Sequence, residues 1–143
     1  MKRIFIDSSV LFSAAYSARG HSRDLLLMAV RGEVSLVASR LVLEEVRRNL
    51  AENAPEALAM FDYLLEILPV EITNPSKAEV LAAAEEVALK NAPIVAAAKK
   101  ARADMLVTLD KKHLLGKPEV AHYAEMEIVT PQEAVLVILK HNP

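Results

Sequence analysis

Five short runs of apolar, β-prone residues recur along this chain, with a helical stretch between each run and the next: "RIFI" (3–6), "VSLVA" (34–38), "LPVEI" (68–72), "MLVTL" (105–109) and "MEIVT" (126–130). No other feature limits the fold as strongly. Strands separated by helices pair in parallel through right-handed crossovers, which lay helices on both faces of the sheet. The spacing predicts an α/β fold: a three-layer α/β/α sandwich around a five-stranded, mainly parallel sheet. With no linker, repeat or low-complexity tract, residues 1–143 read as a single domain.

The helical stretches carry their own end signals. "RDLLLMAVRG" stops at Gly32, Ser39 is placed to cap "SRLVLEEVRRNLAEN", and Pro55 opens "PEALAMFDYLLEI". Ser76 and Glu79 have capping-box spacing at the head of "SKAEVLAAAEEVALK", and "PIVAAAKKARAD" and "PQEAVLVILKH" complete the set.

In open parallel sheets, ligands collect beyond the carboxyl ends of the strands, at the topological switch point. Two aspartates stand at such ends: Asp7 after "RIFI" and Asp110 after "MLVTL". A buried carboxylate costs several kcal/mol unless it is paired, so each needs a partner. Asp7 is also a candidate N-cap for a following helix, since "DSSV" offers three capping residues, and Asp110 can cap a basic turn. A third acid comes from the helix after Ser39. At 100° per residue its apolar face runs through Val42, Leu43, Val46 and Leu50, which puts Glu45 on the flank and Glu44 further into solvent. Periodicity alone favours Glu45 as a solvated residue that supports the helix through Arg48 or Asn49.

Composition narrows the classes. The absence of cysteine removes disulfide frameworks and thiolate metal sites, and fits a reducing cytoplasm. No apolar run approaches the roughly 20 residues that span a bilayer. "MKRIFID" meets an acid too soon for a signal peptide's apolar region, so the expectation is a cytoplasmic protein with no membrane partner. A net charge of −2 argues against general attraction to nucleic acid, and three Phe, three Tyr and no Trp argue against a stacking platform for single strands. A local basic patch beside an acidic site is still allowed. Arg47, Arg48, Lys99, Lys100, Arg102, Lys111 and Lys112 lie on or near the elements that carry the acids, as candidate phosphate contacts or as solvated charges. The histidines His21, His113, His122 and His141 have no metal-ligand spacing.

"IFIDSSVLFSA", "SRLVLEEVRRNL", "NAPIVAAAKKARADMLVTLDKKHLL" and "MEIVTPQEAVLVI", in this order, resemble the PIN domain, particularly its toxin-like bacterial and archaeal branch. The resemblance covers nearly the whole chain. It implies a PIN-like fold in which Asp7, Glu45 and Asp110 hold Mg²⁺ or Mn²⁺ for cleavage of RNA phosphodiesters. It also implies an RNA substrate, a cognate antitoxin as partner and a homodimer. Mg²⁺ takes oxygen ligands, usually one or two carboxylates with several waters. Bound metal activates a water and neutralises charge on the scissile phosphate. Ser9 and Thr108 can orient ligands or waters around the acids, or serve as a capping serine and a strand threonine.

One position departs from the family pattern. A further acid usually opens the stretch "D-x-x-I-x-A-x-A", and here "NAPIVAAA" places Asn91 there as the fourth catalytic candidate. Asn offers a carbonyl oxygen but no charge, and it is equally a good N-cap for the helix that restarts at Pro93. Asp104 does not replace the missing acid: it precedes its strand, about five residues at roughly 3.3 Å each from Asp110. The leading expectation is a metal-dependent ribonuclease of the toxin type. The alternative is an impaired PIN-like module that binds RNA or protein. Phosphoryl-transfer folds fit poorly: haloacid-dehalogenase phosphatases need an acid where Ser9 stands, and receiver domains need one that "LPVEITNPS" lacks.

Overall fold

The computed structural model describes residues 1–141. Five strands, β1 (Arg3–Ile6), β2 (Ser35–Ala38), β3 (Val70–Ile72), β4 (Met105–Val107) and β5 (Glu127–Val129), form one sheet in the order β3-β2-β1-β4-β5. Every pairing is parallel. Eight α-helices are present among the described residues: α1 (Ser8–Tyr16), α2 (His21–Val30), α3 (Arg40–Asn53), α4 (Leu58–Ile67), α5 (Lys77–Ala84), α6 (Ala92–Ala101), α7 (Pro118–Ala124) and α8 (Pro131–His141). The predicted α/β sandwich is the fold observed.

The strand sequences explain the layering. Ile4, Phe5 and Ile6 of the central strand are wholly buried, as a strand covered on both faces requires. The main core joins these residues to Leu25 and Leu26 of α2, Val42, Val46 and Leu50 of α3 and Phe61 of α4. A second cluster packs Ala83, Val87, Val95, Leu114 and Val120 around α5, α6 and α7. None of the described helices is long and apolar enough to cross a membrane.

The local signals act as their chemistry suggests. The Ser39 hydroxyl accepts from the Val42 N–H at 3.2 Å, and Ser76 and Glu79 close a full capping box. Gly32 turns the chain at φ +77°, a conformation in which a side chain is strained. Other boundaries shift. Pro55 opens a 3₁₀ turn (Pro55–Ala57) ahead of α4. The stretch 77–90 is helical only to Ala84, where tightened bonds from the Glu85 and Glu86 N–H groups end it and Val87 turns into the second core. Four of the five strands are one or two residues shorter than their apolar runs, because Val34, Leu68, Pro69, Thr108, Leu109, Met126 and Thr130 fall in the connections. The short helix α7 escaped the periodicity reading, although Pro118 in its first turn is a start signal.

The chain leaves β1 towards β2 and β3, then crosses back to add β4 and β5 on the other side. The switch point therefore lies between the carboxyl ends of β1 and β4, where Ile6 pairs with Val107.

Candidate functional site

Asp7 follows β1 and does two jobs at once. It is the N-cap of α1, with Oδ1 accepting from the Val10 N–H at 3.3 Å. It is also almost wholly buried, at 3% exposure, under two hydroxyl donors. Ser9 Oγ donates to Oδ1 at 2.6 Å and Thr108 Oγ1 donates to Oδ2 at 2.5 Å. These hydroxyls also fix the neighbouring loop, since Ser9 Oγ accepts from the Leu109 N–H (2.9 Å) and Thr108 Oγ1 from the Asp110 N–H (3.0 Å). A helix cap and a buried carboxylate are thus the same residue.

Asp110 closes the turn after β4. Its Oδ1 accepts from the N–H groups of Lys112 and His113 at 3.0 and 2.9 Å, and Oδ2 lies 3.1 Å from His113 Nδ1. Glu45 extends from the half-buried flank of α3, as the periodicity predicts, and its Oε2 accepts from Ser8 Oγ at 3.2 Å. Glu44 is exposed.

A cavity of about 200 Å³ brings Asp7, Ser9, Glu45, Asn91 and Asp110 together, lined in addition by Ser8, Lys90 and Ile94. A larger cavity, about 390 Å³, lies elsewhere, between Glu79, Lys99, Lys100, Arg102 and Tyr123. The two aspartates sit in opposite electrostatic environments. Burial pushes the Asp7 carboxyl above its ordinary value against the hydrogen bonds of Ser9, Thr108 and Val10, and the nearby charge of Asp110 pushes the same way. Partial burial raises Asp110 too, but the His113 N–H, the His113 ring and the Lys112 N–H outweigh it and hold that group below the ordinary carboxylate value. Asp110 is settled by its own turn, whereas Asp7 is held where its charge is costly.

Asn91 is the N-cap of α6 by position only. Its side chain makes no cap hydrogen bond, and its Nδ2 instead donates to the His113 carbonyl at 2.8 Å. The sequence reading of Asn91 as a capping side chain is therefore corrected: the His113 carbonyl takes the donor. Asn91 is 9% exposed, and its Oδ1 has no partner among the described residues while no buried polar side-chain atom there lacks one. That oxygen is accordingly open to solvent.

The donors lining the cavity are oxygens, the chemistry of a hard divalent cation. Among the described residues, no group of three His, Cys, Asp or Glu is spaced to hold an ion as it stands. The arrangement fits a cation reached by one or two carboxylates and completed by water. A positive ion there would also offset the burial that raises Asp7.

The basic candidates mostly point elsewhere. Arg47 pairs with Asp62 at 2.7 Å over the Phe61 ring, Lys99 with Glu125 at 3.7 Å and Lys100 with Glu79 at 3.2 Å. Lys111 and Lys112 are exposed beside Asp110, and Arg102 lines the larger cavity. Sequence reasoning missed Lys90 and His113. His113 was judged by metal-ligand spacing, and the available signal was its place three residues after Asp110. Asp104 receives the Arg3 N–H at 2.7 Å at the far end of β4, a structural role as expected.

The sequence pattern of the PIN domain matches residues 3–112. No curated protein matches the chain. Among solved structures, PAE2754 from Pyrobaculum aerophilum is similar at a TM-score of 0.67 and 17% identity, over 97% of this chain and 96% of the other. VapBC2 from Rickettsia felis, bound to a DNA fragment from its promoter, reaches 0.62 and 13% over 90% and 98%. FitAB bound to an IR36 DNA fragment reaches 0.55 and 15% over 90% and 94%. At these identities the likeness is one of fold.

Proposed function

This chain belongs to the PIN domain family, and from that premise we propose that it is a metal-dependent ribonuclease, cytoplasmic and a single domain, serving as the toxin of a toxin–antitoxin pair. The observation that carries this reading is the convergence of Asp7, Glu45 and Asp110, from three separate elements, on one small cavity at the switch point. Likeness of fold to VapBC2 and FitAB supports an antitoxin partner, and the family resemblance supports a homodimer.

When bound, Mg²⁺ or Mn²⁺ supplies an activated water and neutralises charge on the scissile phosphate. The chain's own residues do the rest. Asp7 is kept in one orientation by Ser9 and Thr108, Asp110 by the N–H groups of its turn, and Glu45 by Ser8. Fixing ligands in advance removes reorganisation from the reaction. Asn91 contributes an uncharged oxygen in place of the usual acid.

The test is cleavage of a fluorescently labelled single-stranded RNA by the purified chain in Mg²⁺, Mn²⁺ or EDTA. Metal-dependent cleavage that disappears in both Asp7→Asn and Asp110→Asn supports the reading. Absence of cleavage at metal saturation sinks it and favours the second reading, an RNA- or protein-binding PIN module. That second reading draws on one observation: the Asn91 amide is spent on the His113 carbonyl and brings no charge to the site.

A further inference from the structure

Lys90 is the one cationic side chain among the described residues that lines the acid cavity. Three carboxylates share that cavity with it, yet among the described residues Lys90 forms no ion pair. Its Nζ lies 3.4 Å from His113 Nε2, a long hydrogen bond in which an ammonium can only donate. Nε2 must then be the acceptor, which leaves the imidazole proton on Nδ1, 3.1 Å from Asp110 Oδ2. One tautomer satisfies both contacts, so Asp110 orients the ring and the ring holds the ammonium at the cavity rim. An ammonium carries three N–H donors, and this contact uses one.

The charges of the lining give the reason for such a cation. Three ionised carboxylates facing one divalent ion leave a single negative charge, which repels a phosphodiester. Lys90 cancels it. An acid at position 91, the usual arrangement in the resemblance, would restore the repulsion. Asn91 instead anchors the turn at His113 and brings no charge to the rim. The ammonium and the uncharged amide together favour an anion at this rim.

We infer that Lys90, oriented through His113, is a phosphate-binding residue of this site and holds the RNA backbone against the acid cavity. The inference rests on the ribonuclease reading, but it concerns binding and can be measured without cleavage. The probe is a short fluorescein-labelled single-stranded RNA, with anisotropy followed in Ca²⁺ over a series of salt concentrations. Each neutralised phosphate of a single strand contributes about 0.7 to the slope of log affinity against log salt, so Lys90→Met should lower the magnitude of that slope by about 0.7. Affinity should fall, and Lys90→Arg should restore both quantities. Lys99→Met, in the other cavity, serves as the control and should leave the slope unchanged. Lys90 is exposed, so the variant should keep the wild-type melting temperature, which is checked alongside. Wild-type binding with an unchanged slope in Lys90→Met overturns the Lys90 assignment alone. Failure of the wild type to bind RNA at all overturns it together with the RNA-directed reading of the site.

Discussion

At the amino ends of β1 and β4, Arg3 reaches Glu71 through two bonds of 3.1 and 2.9 Å and donates to the Ala101 carbonyl at 2.9 Å, while its backbone N–H donates to the Asp104 carboxylate and its carbonyl accepts from the Asp104 N–H. At the carboxyl ends of the same two strands, Asp7 and Asp110 share a cavity with Glu45, and among the described residues none of the three pairs with an arginine or lysine; Lys90 stands at the rim without an ion pair. Both ends concentrate charge on two neighbouring strands. The amino end neutralises it within the fold, which is how structural charges are usually carried. The carboxyl end leaves its carboxylates served by hydroxyls and N–H groups, with room for a positive ion. Charge that the fold itself leaves without an ion pair is what makes the carboxyl end the candidate site.

The largest expected difference between the ends is in catalysis. Removing the Thr108 hydroxyl leaves Asp7 Oδ2 buried without its donor, so Thr108→Val should slow metal-dependent cleavage by roughly 10–100-fold. It should also lower stability by about 1–3 kcal/mol, read by denaturant unfolding. Asp7→Asn should cost more activity than Thr108→Val. Glu71→Gln, at the amino end, should leave the cleavage rate unchanged. Comparable losses from Glu71→Gln and Thr108→Val would erase the distinction between the two ends.

A smaller effect sharpens the account of Asn91. Asn91→Asp replaces the Nδ2 donor with an oxygen 2.8 Å from the His113 carbonyl, so without metal the variant should be destabilised by about 1–3 kcal/mol. Mn²⁺ should recover more stability in the variant than in wild type, because a cation bound only by the folded state adds to its stability and a fourth charge strengthens that binding. If the missing charge limits catalysis, Asn91→Asp also raises the cleavage rate in Mn²⁺, and Asp110→Asn in that background removes the gain. A variant as stable as wild type in EDTA would show that the His113 contact is unimportant.

These positions also show what a sequence makes legible. Strand order, parallel pairing and the flank position of Glu45 follow from patterns repeated over many residues, so they survive local detail. Asp7 illustrates the limit. Its local residues read as an N-cap and its place after an apolar strand reads as a site. The fold satisfies both, because one carboxylate can accept from Val10, Ser9 and Thr108 together. Asn91 went the other way. A side chain at an N-cap position is expected to bond its own helix, and a carbonyl 22 residues later in the chain took its donor instead. The contact between Lys90 and His113 was illegible for the same reason: it exists only once the turn after β4 packs against the start of α6. The sequence leaves Arg47, Lys99 and Lys100 open between phosphate contacts and solvated charges, and in the fold Asp62, Glu125 and Glu79 pair with them.

The smallest effect separates the two ends by the sign of their pH dependence, measured without metal by denaturant unfolding. Glu71 is held below its ordinary value of 4.5, first by its hydrogen bonds to Arg3. A depressed acid stabilises the fold above its unfolded value, and that contribution disappears as pH falls through the folded value. Glu71→Gln should therefore reduce stability slightly near neutral pH and make no difference well below pH 4.5. Asp7 works in reverse. Burial lifts it above 3.8, so the folded state binds its proton more tightly than the unfolded chain does, and the cost is present above the raised value. As pH falls from that value towards 3.8, the cost is relieved. Asp7→Asn should then stabilise the metal-free protein near neutral pH, with the advantage shrinking as acid is added. Exposure of Glu71 to solvent keeps its own effect small. Opposite slopes in the two variants would tie structural charge to one end of the strands and uncompensated charge to the other, whereas slopes of one sign would remove the electrostatic contrast from which the site was read.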